Sequence, residues 1–544
     1  MAVRKYGVVY TPERLALFVA KILRDEMINE TEDISGILDP ACGECALLNA
    51  AENVFGKEMR FLGIDVDPEV YDDNSSLNRT ILINDSILPK NVKQNTAMYW
   101  KSKIGKINAI IANPPWSSEK IYDKEKLNTA GFLLTDGQYD SYVLFLELAF
   151  NLLDENGYFA FIVPDSIFDS QNLLLRKFLV TNTELRVIAR LGEKIFDEVN
   201  RATTVLVCKK CKPSKESRTK CFRLSTEERR LYLNSEKQLE DIFDKQMHYV
   251  YQQRFAENDD YLFDIDTRED EEALLKKIKS NCIKWSDYFV FGRGVEISKA
   301  GKIVYCPHCG SAQGFKKTQL QTGKKDCTNC GKNFPVDVTA IKNVIGTVQT
   351  ANSVSIYVGE NIRRYAIEPG NYIIKDIPGI NYKDLSMYNP PKLLIRKTGL
   401  GIYAAVDYSG GMTSQTVYIL KQKNGNIVPL EYYLALLNSR VVYYYYLKVY
   451  GENEWKSHPY LTKQIIFSLP IAVYDGGNLD CDIISLAQKV MNNYDYALDM
   501  ELERKVFEKY GLSEEEIHLI ADEINKLPDL SAVNNMKFEV YSNV

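Results

Sequence analysis

An amide, two prolines and an indole stand together at Asn113-Pro114-Pro115-Trp116, directly after the apolar run INAIIA. Proline has no N–H, fixes its own backbone dihedral and pushes the residue before it toward an extended shape. The pair therefore gives a stiff segment, rich in carbonyl oxygens and poor in donors, with a hydrogen-bonding amide on one side and a flat aromatic on the other. Three more polar groups come at comparable places, each closing an apolar run: Asp39-Pro40-Ala41-Cys42-Gly43, Asp65 and Asp85. A glycine in such a turn lets backbone approach a ligand, and the helix that follows points unpaired N–H groups at it. A carboxylate about 20 to 25 residues further on is where α/β nucleotide sites hold ribose hydroxyls. Asp65 has that spacing, and Asp85 is placed to accept from an adenine amino group.

Cysteines form a second constellation. Cys306, Cys309, Cys327 and Cys330 give C-x2-C, 17 intervening residues and C-x2-C, and each pair is followed by glycine (Gly310, Gly331). That is the spacing of a tetrahedral four-thiolate zinc site, and four thiolates close the coordination sphere, so the zinc would be structural. His308 reads as a spacer. The segment between the pairs is expected to be a braced hairpin bearing Lys316, Lys317, Lys324 and Lys325, bases suited to phosphate contact. Cys208, Cys211 and Cys221 have no clear fourth ligand and read as strand-end thiols.

These groups need a scaffold, and the chain is long enough to supply it. Its 544 residues, 45% of them apolar, suffice for about two to four domains. No apolar stretch has the length of a signal peptide or membrane anchor, and the paired cysteines suit a reducing compartment, so a cytoplasmic protein without membrane association is expected. The net charge of −6 means that any nucleic-acid surface must be local. Residues 225–272 hold 15 acidic against 6 basic residues, and residues 273–345 hold 13 basic against 4 acidic ones, which marks a boundary. Ahead of it, ISGILD, RFLGIDVD, RTILIND, INAIIANPP, YFAFIVPDSIF, ELRVIARL and ATTVLVCKK read as seven strands interleaved with helices, among them SYVLFLELAFNLL. Such a pattern predicts an open, mostly parallel α/β sheet with its ligand site at the carboxyl ends of the strands.

In motif order the sequence resembles the γ-class adenine-N6 DNA methyltransferases. Tyr10-Thr11-Pro12 is similar to their N-terminal cofactor motif, Asp39 to Gly43 to their first glycine motif, and Asn113 to Trp116 to their catalytic Asn-Pro-Pro-aromatic loop. The likeness is clearest over residues 6–210. It implies a Rossmann-like S-adenosylmethionine methyltransferase domain at 1–224, an acidic helical linker at 225–282 and a mixed α+β target-recognition domain at 283–475. The recognition domain would contain a zinc ribbon at 303–335, and a helical tail would occupy 476–544.

The resemblance also assigns roles. An exocyclic base amine is a poor nucleophile because its lone pair is delocalised into the ring. Asn113 Oδ1 and the Pro114 carbonyl would hold its two protons, with Pro115 stiffening the loop. The target base would be extruded from the duplex and stacked on Trp116, with Phe196 on its opposite side. Transfer would be a direct displacement without a covalent intermediate; cytosine carbon-5 methylation, which needs a Pro-Cys nucleophile, finds no such pair in the sequence. Tyr10, Thr11, Pro12, Asp39, Pro40, Ala41, Cys42, Gly43, Asp65, Asp85, Asn113 and Phe145 are the cofactor-binding candidates, and Arg293, Arg396 and Lys397 join the four lysines as candidates for DNA contact. The implied partners are double-stranded DNA and a separate restriction endonuclease, in a bacterial or archaeal cytoplasm. The sequence departs from the family where a second glycine is usual: Cys45 stands there, and its side chain is expected to reshape the methionine end of the pocket. RNA or protein-glutamine methylation, or a decayed DNA-binding module, are the alternative readings.

Overall fold

The computed structural model describes residues 10–28, 30, 34–68, 78–90, 92, 95–116, 122–136, 140–196, 201–297, 301–314, 317–451, 460–531 and 533–540. The chain divides into two units, one of residues 1–272 and 448–457 and the other of residues 273–447 and 458–544.

The first unit is built on a nine-stranded sheet. Its strands are β1 (Ile37–Asp39), β2 (Phe61–Asp65), β3 (Arg79–Ile83), β4 (Ala109–Ala112), β5 (Tyr158–Pro164), β6 (Glu184–Gly192), β7 (Thr203–Lys209), β8 (Arg218–Arg223) and β9 (His248–Tyr251), in the order β3-β2-β1-β4-β5-β7-β6-β8-β9. The first five strands in that order run parallel, and β7 joins antiparallel to β5. All seven strands expected from the sequence are present, and two more extend the far edge. The central strands are apolar along their whole length: every residue of β4 and β5 is buried. Alternate residues feed opposite layers, with Phe159, Phe161 and Val163 in one core and Tyr158, Ala160 and Ile162 in the other. A strand buried on both faces reads in this way.

The layers are amphipathic helices. In α1 (Glu13–Met27), Leu15, Phe18, Val19, Ile22 and Leu23 recur at helical spacing and are buried. It shares its layer with α2 (Ala46–Phe55), and α3 (Thr96–Ile104) and α5 (Tyr142–Leu152) cover the other face; the short α4 (Lys124–Thr129) precedes α5.

Residues 225–282 were expected to be an acidic helical linker. Residues 225–272 carry short helices and β9, which pairs antiparallel with β8, and belong to the first unit, while 273–282 belong to the second. The acids there are exposed or ion-paired faces of elements whose apolar sides, Tyr232, Leu239, Ile242 and Phe243, enter the core.

The second unit is mixed α+β. One antiparallel sheet has the order Phe289–Arg293, Val417–Gln422, Lys392–Arg396, Ala404–Asp407, and a second four-stranded sheet lies over 345–413. Three helices, Asn478–Asn492, Tyr496–Lys509 and Glu514–Asn525, form the C-terminal part, the last opened by a Ser513/Glu516 capping box. Residues 430–450 form two helices, Leu430–Leu437 and Arg440–Tyr450. The break falls at Asn438, whose N–H still bonds the Leu434 carbonyl and whose side-chain amide pairs with both the N–H and the carbonyl of Ala404 at 3.0 Å. Tyr443 to Tyr446 are all buried, as packing residues.

Candidate active site

The carboxyl ends of β1 to β4 converge on one pocket. Its wall contains Tyr10, Thr11, Pro40, Ala41, Cys42, Gly43, Asp65, Asp85, Asn113, Pro114, Pro115, Trp116 and Phe145. These thirteen were singled out in the sequence. Pro12 and Asp39 were too, but they sit behind the wall. Pro12 caps α1, and its carbonyl accepts from Ala16 N at 2.9 Å. Asp39 is buried, and its Oδ1 accepts from Ala41 N at 2.9 Å, folding the turn that presents Pro40 to Gly43. Burial holds the Asp39 carboxyl well above the ordinary aspartate range.

The glycine turn is fitted closely to the strand beneath it. Gly63 lies in the middle of β2, where a Cβ would come within 2.6 Å of Ile81 Cδ1 and 2.8 Å of Cys42 Sγ. Gly43 has φ +47 and its N–H donates to Asp65 Oδ2 at 2.9 Å, while Asp65 Oδ1 accepts from Asp67 N. Cys45 also has φ +60, the left-handed conformation that explains why glycine is usual there. Its side chain is wholly buried and forms no part of the pocket wall. The thiol is thus behind the wall and not part of it, with its Sγ 3.8 Å from the carbonyl of Gly43, which does line the pocket.

Asp85 shows how one carboxylate is divided. Oδ1 accepts from Ile87 N (2.8 Å), Leu88 N (3.1 Å) and the Tyr122 hydroxyl (3.2 Å). That fills one oxygen and leaves Oδ2 as the outward acceptor. Desolvation raises the Asp85 pKa above its ordinary value. Tyr122 was not foreseen, nor were Glu44, Ala46, Leu47, Val66, Asn84 and Ser86, which also line the pocket. Tyr122 follows the catalytic-type loop with no spacing rule to mark it, whereas Glu44 and Ser86 are direct neighbours of residues that were marked.

The Asn-Pro-Pro-Trp loop leaves the end of β4 and is tied on several sides. Asn113 Nδ2 donates to Thr11 Oγ1 at 3.0 Å, the Ser141 hydroxyl donates to the Pro115 carbonyl, and Arg201 Nη1 donates to the Trp116 carbonyl at 2.6 Å. The Trp116 indole N–H reaches the Ile162 carbonyl at 3.3 Å. Phe196 is buried and meets Trp116 edge to face, with centroids 5.5 Å apart and planes at 89°. A base sandwiched between two parallel rings needs them about 7 Å apart, twice a carbon contact distance. The expected arrangement, Phe196 on the far side of a base from Trp116, thus requires the indole to swing away from Phe196 first.

In the second unit the four cysteines come together. Their sulfurs lie within 4.8 Å of one another, with Cys306 to Cys330 at 3.8 Å and Cys309 to Cys327 at 3.6 Å. A tetrahedron of Zn–S bonds of about 2.3 Å puts sulfurs about 3.8 Å apart, whereas a disulfide needs about 2.05 Å. Each pair sits between two short antiparallel strands, Lys302–Tyr305 with Ala312–Gly314, and Lys324–Asp326 with Asn333–Pro335. Gly310 and Gly331, at φ +69 and +71, close the turns. Cys208 and Cys221 are core residues, and among the described residues no metal-type cluster includes them or Cys211.

The segment between the pairs is not a bare hairpin. Residues 317–322 form a helix, and Leu320 packs on the small core around Cys306, Cys327 and Phe334. Lys316 lies outside the described residues, Lys317 opens that helix, Lys324 is exposed and Lys325 is buried. Arg293 and Lys397 come to one end of the sheet: Arg293 is paired in register with Tyr418, whose ring lies 5.7 Å from Lys397 Nζ. Burial, and then Arg293, lower the Lys397 pKa. Arg396 Nε donates to the Thr398 carbonyl at 2.6 Å.

The profile of the N-6 DNA Methylase family matches residues 2–290, more than half of the chain. The chain belongs to that family. The family resemblance read from motif order is thereby borne out, and a TaqI-like C-terminal specificity domain matches residues 354–471 of this family member. The type II methyltransferase M.AccI of Acinetobacter calcoaceticus is 24% identical over 212 residues, 38% of this chain and 37% of that protein. The methylase subunit of the type I restriction enzyme MpnII of Mycoplasma pneumoniae is 24% identical over 232 residues, 39% of this chain and 41% of that one. The match thus spans 37 to 41% of the length of these relatives. A solved type IIL restriction-modification enzyme, MmeI in complex with DNA, shares the fold over 96% of this chain and 79% of its own, at 13% identity and a TM-score of 0.54. No helix among the described residues is long and apolar enough to cross a membrane.

Proposed function

We propose that this N-6 DNA methylase transfers a methyl group from S-adenosylmethionine to the exocyclic amine of an adenine in double-stranded DNA, at a site read by its second unit. The observation that carries the reading is the Asn113 amide at the end of β4, tied through Nδ2 to Thr11 and sharing one pocket with the Pro114 carbonyl, the glycine turn and Asp85. S-adenosylmethionine supplies an electrophilic sulfonium methyl. Asp85 Oδ2 suits its adenine amine, Asp65 its ribose hydroxyls, and Phe145 the face of its adenine. Asn113 Oδ1 and the Pro114 carbonyl accept the two protons of the target amine, which turns its lone pair out of conjugation; positioning then supplies most of the acceleration. The specificity-domain match at 354–471 favours DNA over RNA or glutamine as substrate. Cys45, on which the decayed-module reading rests, is buried and off the pocket wall, which supports an intact cofactor site.

Arg293, Arg396, Lys397, Lys317 and Lys324 are the proposed phosphate contacts. The four cysteines are proposed to hold a structural Zn2+, for which their sulfur spacing is suited. A separate restriction endonuclease is the proposed partner, on family resemblance.

The test is modification-sensitive sequencing of DNA from an unmethylated host expressing the chain or its Asn113→Ala variant. Methyl-adenine at one short motif, reduced about 10²- to 10³-fold in the variant, is the expected result. Absence of methyl-adenine with the folded wild-type chain would overturn the reading.

A further inference from the structure

An amide has two ends of nearly the same shape and opposite hydrogen-bonding character. Only with Oδ1 toward the substrate is Asn113 an acceptor for an amine; reversed, it would offer two N–H donors to an amine that also donates. The partner at the other end of the amide bears on which orientation is held. Among the described contacts, one at the Nδ2 end is with the hydroxyl of Thr11, 102 residues earlier in the chain, at 3.0 Å.

Thr11 is well mounted for that task. It immediately precedes Pro12, the N-cap of α1, whose φ of −57 fixes the backbone and whose carbonyl is bonded to Ala16 N. From there α1 is anchored by buried Leu15, Phe18 and Val19 in the same core as Ile111 of β4. Thr11 and Asn113 are thus held by two elements of one rigid layer, and the hydroxyl accepts from the amide without needing the loop to close first. A hydroxyl has two lone pairs and one hydrogen, so accepting from Asn113 leaves its O–H to donate elsewhere in the pocket that both residues line.

We propose that Thr11 is a positioning residue for the methyl-transfer step: its hydroxyl fixes the Asn113 amide with the oxygen toward the target amine. The inference rests on the adenine-methyltransferase reading and extends it, because the N-terminal motif containing Thr11 was assigned to cofactor binding alone. A residue that only binds cofactor affects the apparent affinity for S-adenosylmethionine. A residue that sets the amide affects the rate after the cofactor site is full.

The experiment compares wild-type protein with Thr11→Val, which keeps the shape and deletes the hydroxyl, and Thr11→Ser, which restores it. Single-turnover methyl transfer is measured on a duplex carrying the motif found by sequencing, at saturating S-adenosylmethionine, with cofactor Kd measured separately and folding checked by thermal melting. A 2-aminopurine at the target position reports base extrusion. The expected result is a transfer rate lowered about tenfold in Thr11→Val, the scale of one lost hydrogen bond. Rate recovers in Thr11→Ser, and cofactor Kd and the extrusion signal stay within about threefold of wild type. A Thr11→Val protein that transfers at the wild-type rate once saturated, or that loses rate only through a weaker Kd or lost extrusion, overturns the proposal and leaves the methyltransferase reading intact. A wild-type chain that methylates no DNA removes both.

Discussion

Asp85 makes the residue scale concrete. Three donors occupy its Oδ1 and burial raises its pKa, so its remaining oxygen is a useful acceptor only while the group is ionised. The raised pKa means that protonation sets in at a higher pH than for an ordinary aspartate. S-adenosylmethionine affinity should therefore begin to fall at a higher pH than an unperturbed carboxylate would give as the solution is acidified, whereas Asp85→Asn should bind more weakly but with a flat profile over that range. Isothermal titration across pH checks this, and a wild-type affinity flat over the range would count against Asp85 as the adenine acceptor. At this scale much of the site was legible, because residues at strand ends carry chemistry that their types declare: thirteen of the marked residues line one pocket. What was hidden depended on direction. Nothing in the sequence says that the Cys45 thiol turns into the core, that Tyr122 reaches back to Asp85, or that Thr11 and Asn113 meet.

Elements hold these groups in register through contacts that periodicity cannot reveal. Arg190 on β6 and Asp165 just beyond β5 form a buried pair, Nε to Oδ2 at 3.1 Å, with Thr204 of β7 donating to the other carboxylate oxygen at 2.7 Å and the guanidinium 4.0 Å from the centre of the Phe168 ring. Both side chains are almost fully enclosed. Replacing Arg190 by Met would leave Asp165 buried without its counter-charge, which costs about 3–5 kcal/mol. Urea unfolding of Arg190→Met should show a lower midpoint with little change in slope, and a loss below about 1 kcal/mol would contradict that account. Strand existence was read correctly from apolar runs, since parallel strands buried on both sides announce themselves. The break at Asn438 was not, because apolar residues at helical spacing continue across it. The acidic stretch over 225–272 misled for a related reason: its charges are conspicuous, while the few apolar residues that fold it onto the sheet are not.

For the whole molecule, the cysteine-bearing hairpins differ from the rest in what holds them together. The first unit has two large apolar cores on either face of its sheet and the second has one around Ile356, Leu394 and Ile419, whereas among the described residues the hairpins share a core of Val304, Cys306, Cys327, Phe334 and Val336, with Leu320 and Ile341 packed against it. With the proposed zinc in place, so small a cluster would depend on the metal for its stability. Treatment with a chelator under reducing conditions should release about one zinc per chain, and a low-temperature unfolding transition should appear while the transition of the first unit stays in place. Cofactor affinity, which belongs to the first unit, should not change; a metal-free protein as purified, with a single unaltered transition, would contradict the zinc assignment.

The edge-to-face contact of Trp116 with Phe196 has an optical side. Trp100 and Trp285 are buried, each 1% exposed, whereas Trp116 is half-buried in the pocket wall, edge to face with Phe196. Neither Trp100 nor Trp285 lines the pocket, although the Trp100 indole N–H donates to the carbonyl of Ser86, which does. Trp116 is itself part of the wall, so among the described tryptophans it is the fluorophore placed where, on the proposed reading, a base would arrive.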